Sequence, residues 1–313
     1  AVLGRRIGLR KAAITGGLVA TLPDLDVFWP NHDPVDRFVS HRGATHSLIM
    51  HILVTPLVAE AVRRMHSALA DERLRTYVAV FLCLTTHVLL DAFTIYGTQL
   101  FWPVWPEPLA LGSIFIIDPL YTLPLLVVTI WALFQPQWSP RYARSLVVAF
   151  VLSSSYLGWT VIAQSIVETR SKQALQNAGF GYEKLIATPT PFNSLFWRAV
   201  ALDGNRYYSI YIPVLGGEEE ISLTVEQRWP DALACWVISA TTDAGTTKTL
   251  AAFLKDYFLV DIVDDEVIFS DLRMGLVHTF VFTFAVAEIR GNEIRPVTPR
   301  HISGMRQFPG DRD

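Results

Sequence analysis

Long apolar stretches separated by short polar segments dominate the first half of the chain. Residues 77–96, 113–134 and 145–167 are each long enough to cross about 30 Å of hydrocarbon as a helix. Residues 47–62 are short for a span, and residues 12–22 are too short alone. This pattern predicts a helical transmembrane bundle of about four or five spans. A buried helical core in a water-soluble protein is the alternative, which three long stretches in one half of the chain disfavour.

The second half of the chain has shorter apolar runs and more charged residues. Residues 206–214 and 278–287 alternate or run like β-strands, and residues 246–258 fit an amphipathic helix. The pair Asp264–Asp265 marks a turn between two further short apolar runs. These features predict a small α+β soluble domain that follows the membrane bundle.

The predicted fold class is mainly α, with a helical membrane domain over residues 1–168 and an α+β domain over residues 169–313. Composition agrees with a membrane protein, since 51% of the 313 residues are hydrophobic and only 18% are charged. Soluble domains carry about 25% charged residues. The net charge is −3 and no basic block is present, which argues against nucleic acid as a partner. The lipid bilayer is the expected partner.

The distribution of Lys and Arg between the apolar stretches predicts an orientation. Residues 97–112 hold no Lys or Arg, whereas the alternate connections are rich in arginine. By the positive-inside rule, the arginine-rich connections are cytoplasmic. The sequence therefore predicts a multi-pass protein of the inner (plasma) membrane, with residues 23–46, residues 97–112 and the second domain outside. The residues that set this orientation are Arg5, Arg6, Arg10, Lys11, Arg63, Arg64, Arg73, Arg75, Arg141 and Arg144.

Several aromatic and charged residues of the second half have structural interpretations. Trp197, Tyr207, Tyr208 and Tyr211 are expected in a sheet core, with a belt at the bilayer interface as the alternative. Asp271 and Arg273, two residues apart in FSDLRMG, are expected to form a structural ion pair, and covering a metal pocket is their alternative role.

Two ionisable residues lie within the apolar stretch of residues 77–96, the third along the chain. His87 and Asp91 are four residues apart in HVLLD, so a helix places both side chains on one face. Ionisable groups within a membrane span are costly and therefore mark functional sites. An imidazole and a carboxylate on one face form half of a site for a divalent metal. A hydrogen-bonded pair that joins two helices is the alternative.

Four more residues of ligand type lie upstream, in LPDLD and SHRGATHSL: Asp24, Asp26, His41 and His46. Each alone has an ordinary alternative as a turn, surface or helix-capping residue. Together they point to a metal site, because four of the eight histidines lie within residues 32–51, next to an acidic cluster. The predicted topology brings them to the same side of the membrane as the end of the third apolar stretch.

The motifs LPDLD, HRGATHSL, HVLLDAFTIYGTQLFWP and IIDPLYTLPL, in this order, resemble those of the LexA-binding, inner membrane-associated hydrolases, also described as membrane-bound metal-dependent hydrolases. The likeness continues into TPTPFNSLFWRAVALDGNRYYSIY and FSDLRMG. The resemblance implies a metal-dependent hydrolase site in a membrane protein. Carried over by position, the implied site residues are Asp24, Asp26, His41, His46, His87 and Asp91, with Arg42, Thr45 and Asp118 also at motif positions. The chain is more distantly similar to zinc-dependent phospholipase C, whose site also includes a His-x-x-x-Asp pair like His87 and Asp91.

The expected chemistry is hydrolysis of a phosphoester or another ester, for instance of a lipid, at the membrane surface. One or two divalent ions, with zinc expected, would activate water. The expected catalytic residues are Asp24, Arg42 and Asp91, and an aspartate would take the proton of the water. Arg42 would hold an anionic group, because its planar guanidinium matches phosphate oxygens. A structural salt bridge between Arg42 and an aspartate ligand is the alternative.

Two other classes of function remain open on the sequence. An ion carrier or metal sensor would also use intramembrane His and Asp residues, although an ion path needs polar residues through the full depth of the membrane. A scaffold would bind a protein partner through the second domain, and the resemblance implies LexA as that partner. A cytoplasmic repressor could not reach a domain that the loop charges place outside.

Overall fold

A computed structural model of the chain describes residues 2–135, 137–243, 245–276, 279–291, 293–302 and 306–307. The chain divides into two compact units. The first comprises residues up to Trp29, Arg42–Ile162 and Pro191–Asn193. The second comprises Pro30–His41, Ala163–Thr190 and the residues from Ser194 onwards.

Helices account for most of the first half of the chain. Their order is α1 (Gly4–Ile7), α2 (Leu9–Ala20), α3 (Pro34–Ser40), α4 (Leu48–Met65), α5 (Arg73–Asp91), α6 (Pro119–Phe134) and α7 (Pro140–Asn177), followed in the second half by α8 (Ala234–Thr242) and α9 (Thr246–Phe253). Short 3₁₀ turns lie over Pro23–Phe28 and Ala44–His46. The five predicted apolar stretches correspond to α2, α4, α5, α6 and α7.

Within the described ranges, α5 and α7 are long and apolar enough to cross a membrane. A third candidate arises if Pro34–His46 and α4 form one broken span. The difference from the predicted four or five spans has a local cause in α6, which has only 16 residues. The Asp118 side chain accepts the backbone N–H groups of Leu120 and Tyr121, so the helix begins inside the predicted stretch.

The second half of the chain is rich in antiparallel β-sheet. One four-stranded sheet has the order β1-β2-β3-β4, and another has the order β10-β9-β6-β5. The strands are β1 (Lys184–Pro189), β2 (Phe196–Asp203), β3 (Arg206–Pro213), β4 (Ser222–Gln227), β5 (Phe258–Val263), β6 (Glu266–Asp271), β7 (Gly275–Leu276), β8 (Thr279–Phe280), β9 (Thr283–Arg290), β10 (Glu293–His301) and β11 (Arg306–Gln307). The predicted fold class, a helical bundle followed by an α+β domain, is confirmed.

Local predictions in the second half fit the observed elements. Trp197, Tyr207 and Tyr208 are buried, which places them in the domain core rather than in an interfacial belt, whereas Tyr211 is only half-buried. Asp264 and Asp265 form the predicted turn between β5 and β6, with φ angles of 52° and 62°. Positive φ at both central positions is the geometry of a type I′ hairpin turn.

The predicted helix over residues 246–258 ends earlier than its apolar pattern suggests. α9 stops at Phe253, and Lys255 and Asp256 follow with φ angles of 51° and 69°. A positive φ cannot continue a right-handed helix, so the last apolar residues of the pattern lead into β5 instead.

Candidate metal centre

Three separate segments of the first unit supply the side chains of the centre. Asp24 lies in the 3₁₀ turn that follows α2. His46 ends the 3₁₀ turn that precedes α4. His87 and Asp91 lie one turn apart near the end of α5, as their spacing predicts.

Four side-chain atoms form a closed ring with nearly equal edges. His46 Nε2 lies 3.3 Å from Asp24 Oδ1 and 3.5 Å from Asp91 Oδ2. His87 Nε2 lies 3.5 Å from Asp24 Oδ1 and 3.3 Å from Asp91 Oδ2. The ligand atoms of Asp24, His46 and His87 lie within 4.8 Å of one another, close enough to share one metal ion. The structure thus brings together the two halves of the site that the sequence keeps 41 or more residues apart.

The edges of the ring have the lengths expected between neighbouring ligand atoms of one metal ion. Two ligand atoms about 2.0–2.1 Å from the same ion lie about 3.3–3.5 Å apart at a tetrahedral angle, so each edge of the ring fits a pair of neighbouring ligands. Asp24, His46 and His87 form the compact part of the group. The atoms His87 Nε2 and Asp91 Oδ2 are buried and form no hydrogen bond of acceptable geometry within the described part of the chain. Buried polar atoms are normally satisfied, so these two are suited to a ligand.

The charges near the ring favour one divalent cation. Three carboxylates, those of Asp24, Asp26 and Asp91, face the positively charged Arg42 and two imidazoles. With neutral imidazoles and ionised carboxylates, the sum is two negative charges, which one divalent ion neutralises. Histidine nitrogen donors suit zinc better than magnesium or calcium, which prefer all-oxygen sites.

Asp26 lies behind His46 rather than in the ring. Its Oδ2 lies 3.7 Å from His46 Nδ1, and it accepts hydrogen bonds from the Thr45 hydroxyl at 2.9 Å and from the backbone N–H of Arg42 at 3.1 Å. The Thr45 hydroxyl is also 3.0 Å from His46 Nδ1. A polar partner on one ring nitrogen fixes the orientation in which the other nitrogen can bind a metal.

Replacing Asp26 by asparagine is expected to weaken zinc binding by about 10- to 100-fold without abolishing it, because such partners of ligating histidines contribute about that much to affinity. Competition with a chelating zinc dye measures the effect. Asp36→Asn serves as the matched control, since the Asp36 carboxylate accepts the backbone N–H of His32 and none of its contacts within the described part of the chain is to a histidine of the ring. Equal affinities of the two variants would contradict the role of Asp26.

Arg42 forms a salt bridge with an aspartate of the ring, which is the structural role given above as the alternative to holding an anion. Its Nη2 lies 3.1 Å from Asp91 Oδ1, its Nη1 donates to the Thr94 hydroxyl at 3.0 Å, and its guanidinium lies over the Tyr96 ring. Arg42 therefore holds one oxygen of Asp91 while the other oxygen faces the ring. Its φ of 60° is the left-handed conformation that non-glycine residues adopt at some cost, often at functional sites.

The remaining predicted positions lie elsewhere or have other partners. His41 is the C-cap residue of α3, its backbone N–H donates to the backbone oxygen of Arg37, and it is assigned to the second unit. Asp118 caps α6 and accepts a hydrogen bond from the Tyr156 hydroxyl at 2.8 Å. Sequence reasoning overlooked Thr94, whose hydroxyl links Arg42 to the backbone oxygen of Asp91. Its position three residues after Asp91, at the end of the helix, is the signal that could have indicated it.

Comparison with known proteins adds a relationship for the part of the chain that holds the centre. Residues 1–167 match the model of a family described as YdjM inner membrane protein. Over 137 residues the chain is 30% identical to a protein of Bacillus subtilis (strain 168) whose name is uncharacterized protein YfhP, and the match covers 42% of this chain and 41% of that protein. The chain thus spans less than half the length of this relative. No match among solved structures was found.

Proposed function

The chain belongs to the YdjM inner membrane protein family, and on this premise we propose that it is a membrane-bound, zinc-dependent hydrolase of phosphoesters. The membrane association predicted from the motifs agrees with this family. The observation that carries the proposal is the ring of four ligand atoms from Asp24, His46, His87 and Asp91, with edges of 3.3–3.5 Å. Water is the only co-reactant that such a hydrolysis needs.

The four ligating side chains differ in their access to solvent. His46 is buried, and Asp91 and His87 are largely buried, whereas 47% of the Asp24 side chain is exposed. Catalytic zinc sites keep one coordination position for water and substrate, and beside the four ring atoms water would enter as a fifth ligand on the exposed side, next to Asp24. Its carboxylate is placed to accept a proton from an attacking water. A bound zinc ion supplies Lewis acidity and lowers the pKa of water.

The location of the ligands favours a one-sided pocket over an ion path. His87 and Asp91 lie in the last two turns of α5, and the 3₁₀ turns bring Asp24 and His46 to the same place. A carrier needs polar groups through the full depth of the membrane. Asp118, the further acidic candidate among the predicted site residues, is engaged in capping α6.

Removal and return of the metal test this function. The purified protein in liposomes should hydrolyse bis(p-nitrophenyl) phosphate, lose at least about a hundredfold in rate after treatment with a chelator, and recover with one equivalent of zinc. His66→Ala should behave like the unsubstituted protein, because His66 bonds to Thr15 instead of the ring. A zinc-loaded protein that hydrolyses none of this ester, or a rate insensitive to chelation, would contradict the proposal.

We also propose that the protein crosses the membrane several times, with the second domain outside. Cys235 is exposed in that domain, so an impermeant thiol reagent added to intact cells should label it. Cys235→Ser, which keeps Cys83, should abolish the labelling. Labelling of Cys235 only after the cells are permeabilised would show that the loop charges were misinterpreted.

A further inference from the structure

An apolar groove of about 330 Å³ runs between α2 and α5. Ala12, Gly16 and Val19 line it from α2, and Ala79 and Cys83 line it from α5. The Cys83 thiol donates to the backbone oxygen of Gly16 at 3.3 Å, which ties the two walls together. The part of α5 that lines the groove is about 10 Å long at a rise of 1.5 Å per residue.

The lining of the groove extends along α5 as far as Thr86, the residue directly before the ligand His87. Cys83, His87 and Asp91 are spaced four residues apart on α5, so the groove wall and the two ligands share one face of the helix. On the opposite wall, Val19 precedes Asp24 by five residues. Asp24 Oδ1 in turn lies 3.5 Å from His87 Nε2, so the segments that continue from both walls meet at the ring.

The surroundings of the centre are also apolar. The 3₁₀ turn that carries Asp24 exposes Val27 and Phe28, and Trp29 follows directly, with Phe28 81% and Trp29 68% exposed. Trp105, in the connection before α6, is 54% exposed. Exposed tryptophan and other apolar side chains next to a membrane span are typical of the bilayer interface. The centre is therefore suited to the depth at which lipid headgroups lie.

We propose that the groove between α2 and α5 binds one acyl chain of a membrane phospholipid, whose headgroup phosphoester is the substrate of the metal centre. This inference rests on the proposed hydrolase function and specifies its substrate class. In the reaction, the oxygen of water bonds to phosphorus, the bond from phosphorus to the leaving oxygen breaks, and that oxygen gains a proton. An apolar groove in a helix that spans the membrane is open to acyl chains of the bilayer, and burial of each methylene group favours binding.

The two glycines of α2 provide a matched pair of substitutions. A Cβ added at Gly16 or at Gly17 would have no neighbouring atom within 4 Å, so neither site forces a clash with the protein. Gly16 lines the groove, whereas Gly17 is exposed and lies outside its lining. Gly16→Leu therefore fills the groove, and Gly17→Leu makes the same change of helix propensity on another face.

Photolabelling from lipid tests the occupant. The protein is placed in liposomes of phosphatidylcholine and phosphatidylglycerol that contain phosphatidylcholine with a diazirine at the end of one acyl chain. Mass spectrometry compares labelling of residues 79–86 with labelling of residues 52–57 of α4, where exposed apolar side chains serve as an internal reference. A leucine side chain that fills the groove should weaken binding of the acyl chain by about 1.4 kcal/mol, which is a factor of about ten in affinity.

The expected ratio of groove to reference labelling falls about tenfold in Gly16→Leu and stays unchanged in Gly17→Leu. Ala79→Leu fills the groove from the other wall and should give the same fall, so the comparison survives if Gly16→Leu does not insert into liposomes. Equal ratios in the groove-filling variants and in Gly17→Leu would overturn the proposal. A crosslink from the groove to a second copy of the chain would overturn it too.

Zinc content and hydrolysis of bis(p-nitrophenyl) phosphate separate this proposal from the hydrolase function. This soluble ester has no acyl chain, so its turnover should be equal in Gly16→Leu and Gly17→Leu. If the protein hydrolyses the soluble ester but the groove-filling variants label like Gly17→Leu, the acyl-chain site alone is overturned. The expected labelling ratios without turnover of any ester would overturn the hydrolase function, and with it the role of the lipid as substrate.

Discussion

Replacing His87 by alanine is expected to abolish stoichiometric zinc binding while the protein still inserts into the membrane. The substitution removes one of the four ring atoms and leaves the buried carboxylate of Asp91 without its neighbour at 3.3 Å. The loss in affinity should exceed about a hundredfold, which is the upper range for loss of a residue that merely orients a ligand. Elemental analysis of protein purified in detergent measures the zinc content.

The control for this substitution is His66→Ala, at a histidine of the same unit that hydrogen-bonds to Thr15 at 2.9 Å. It should keep one zinc ion per chain. Full zinc content in His87→Ala would show that the ring is not the metal site, and equal loss in both variants would indicate general damage to the fold.

Replacing Asp271 by alanine is expected to lower the free energy of unfolding of the second domain by about 3–5 kcal/mol, the usual cost of breaking a buried ion pair. Arg273 donates to both oxygens of Asp271, from Nε at 3.0 Å and from Nη2 at 2.9 Å. Only 3% of the Arg273 side chain is exposed, so the substitution leaves a buried guanidinium without its counter-charge. The unfolding midpoint of the purified protein in denaturant measures the change.

Two further variants serve as controls for the loss of stability in Asp271→Ala. Glu293→Ala breaks the exposed pair with Arg295 and should cost at most about 1 kcal/mol. Asp271→Leu combined with Arg273→Met removes both charges and should recover part of the loss, because an apolar pair leaves no unpaired charge. If Asp271→Ala unfolded at the same denaturant concentration as Glu293→Ala, the ion pair would have no such structural role.

Local spacing made half of the metal centre predictable from the sequence. His87 and Asp91 are four residues apart in an apolar helix, and the helical period alone places them side by side. Asp24 and His46 were predicted from their type and from a topology based on charges. Their approach to within 3.3 Å of each other depends on the 3₁₀ turns that carry them, which no periodicity indicates.

Side-chain direction limited the rest of the prediction. The sequence LPDLD does not distinguish Asp24 from Asp26. In the structure Asp24 reaches the ring, whereas Asp26 accepts hydrogen bonds from Thr45 and from the backbone of Arg42. Arg42 was equally suited to an anion or to a salt bridge until its contact with Asp91 was known. The extent of α6 also escaped the hydropathy pattern, because a single cap at Asp118 sets its first residue.

X-ray absorption at the zinc edge of the zinc-loaded protein tests the central claim most directly. The account predicts four or five nitrogen and oxygen ligands at about 2.0–2.1 Å, with the scattering signature of two imidazoles that falls to one or disappears in His87→Ala. A sulfur ligand at about 2.3 Å, from Cys83 or Cys235, would contradict it. A shell of six oxygens without imidazole would contradict it equally.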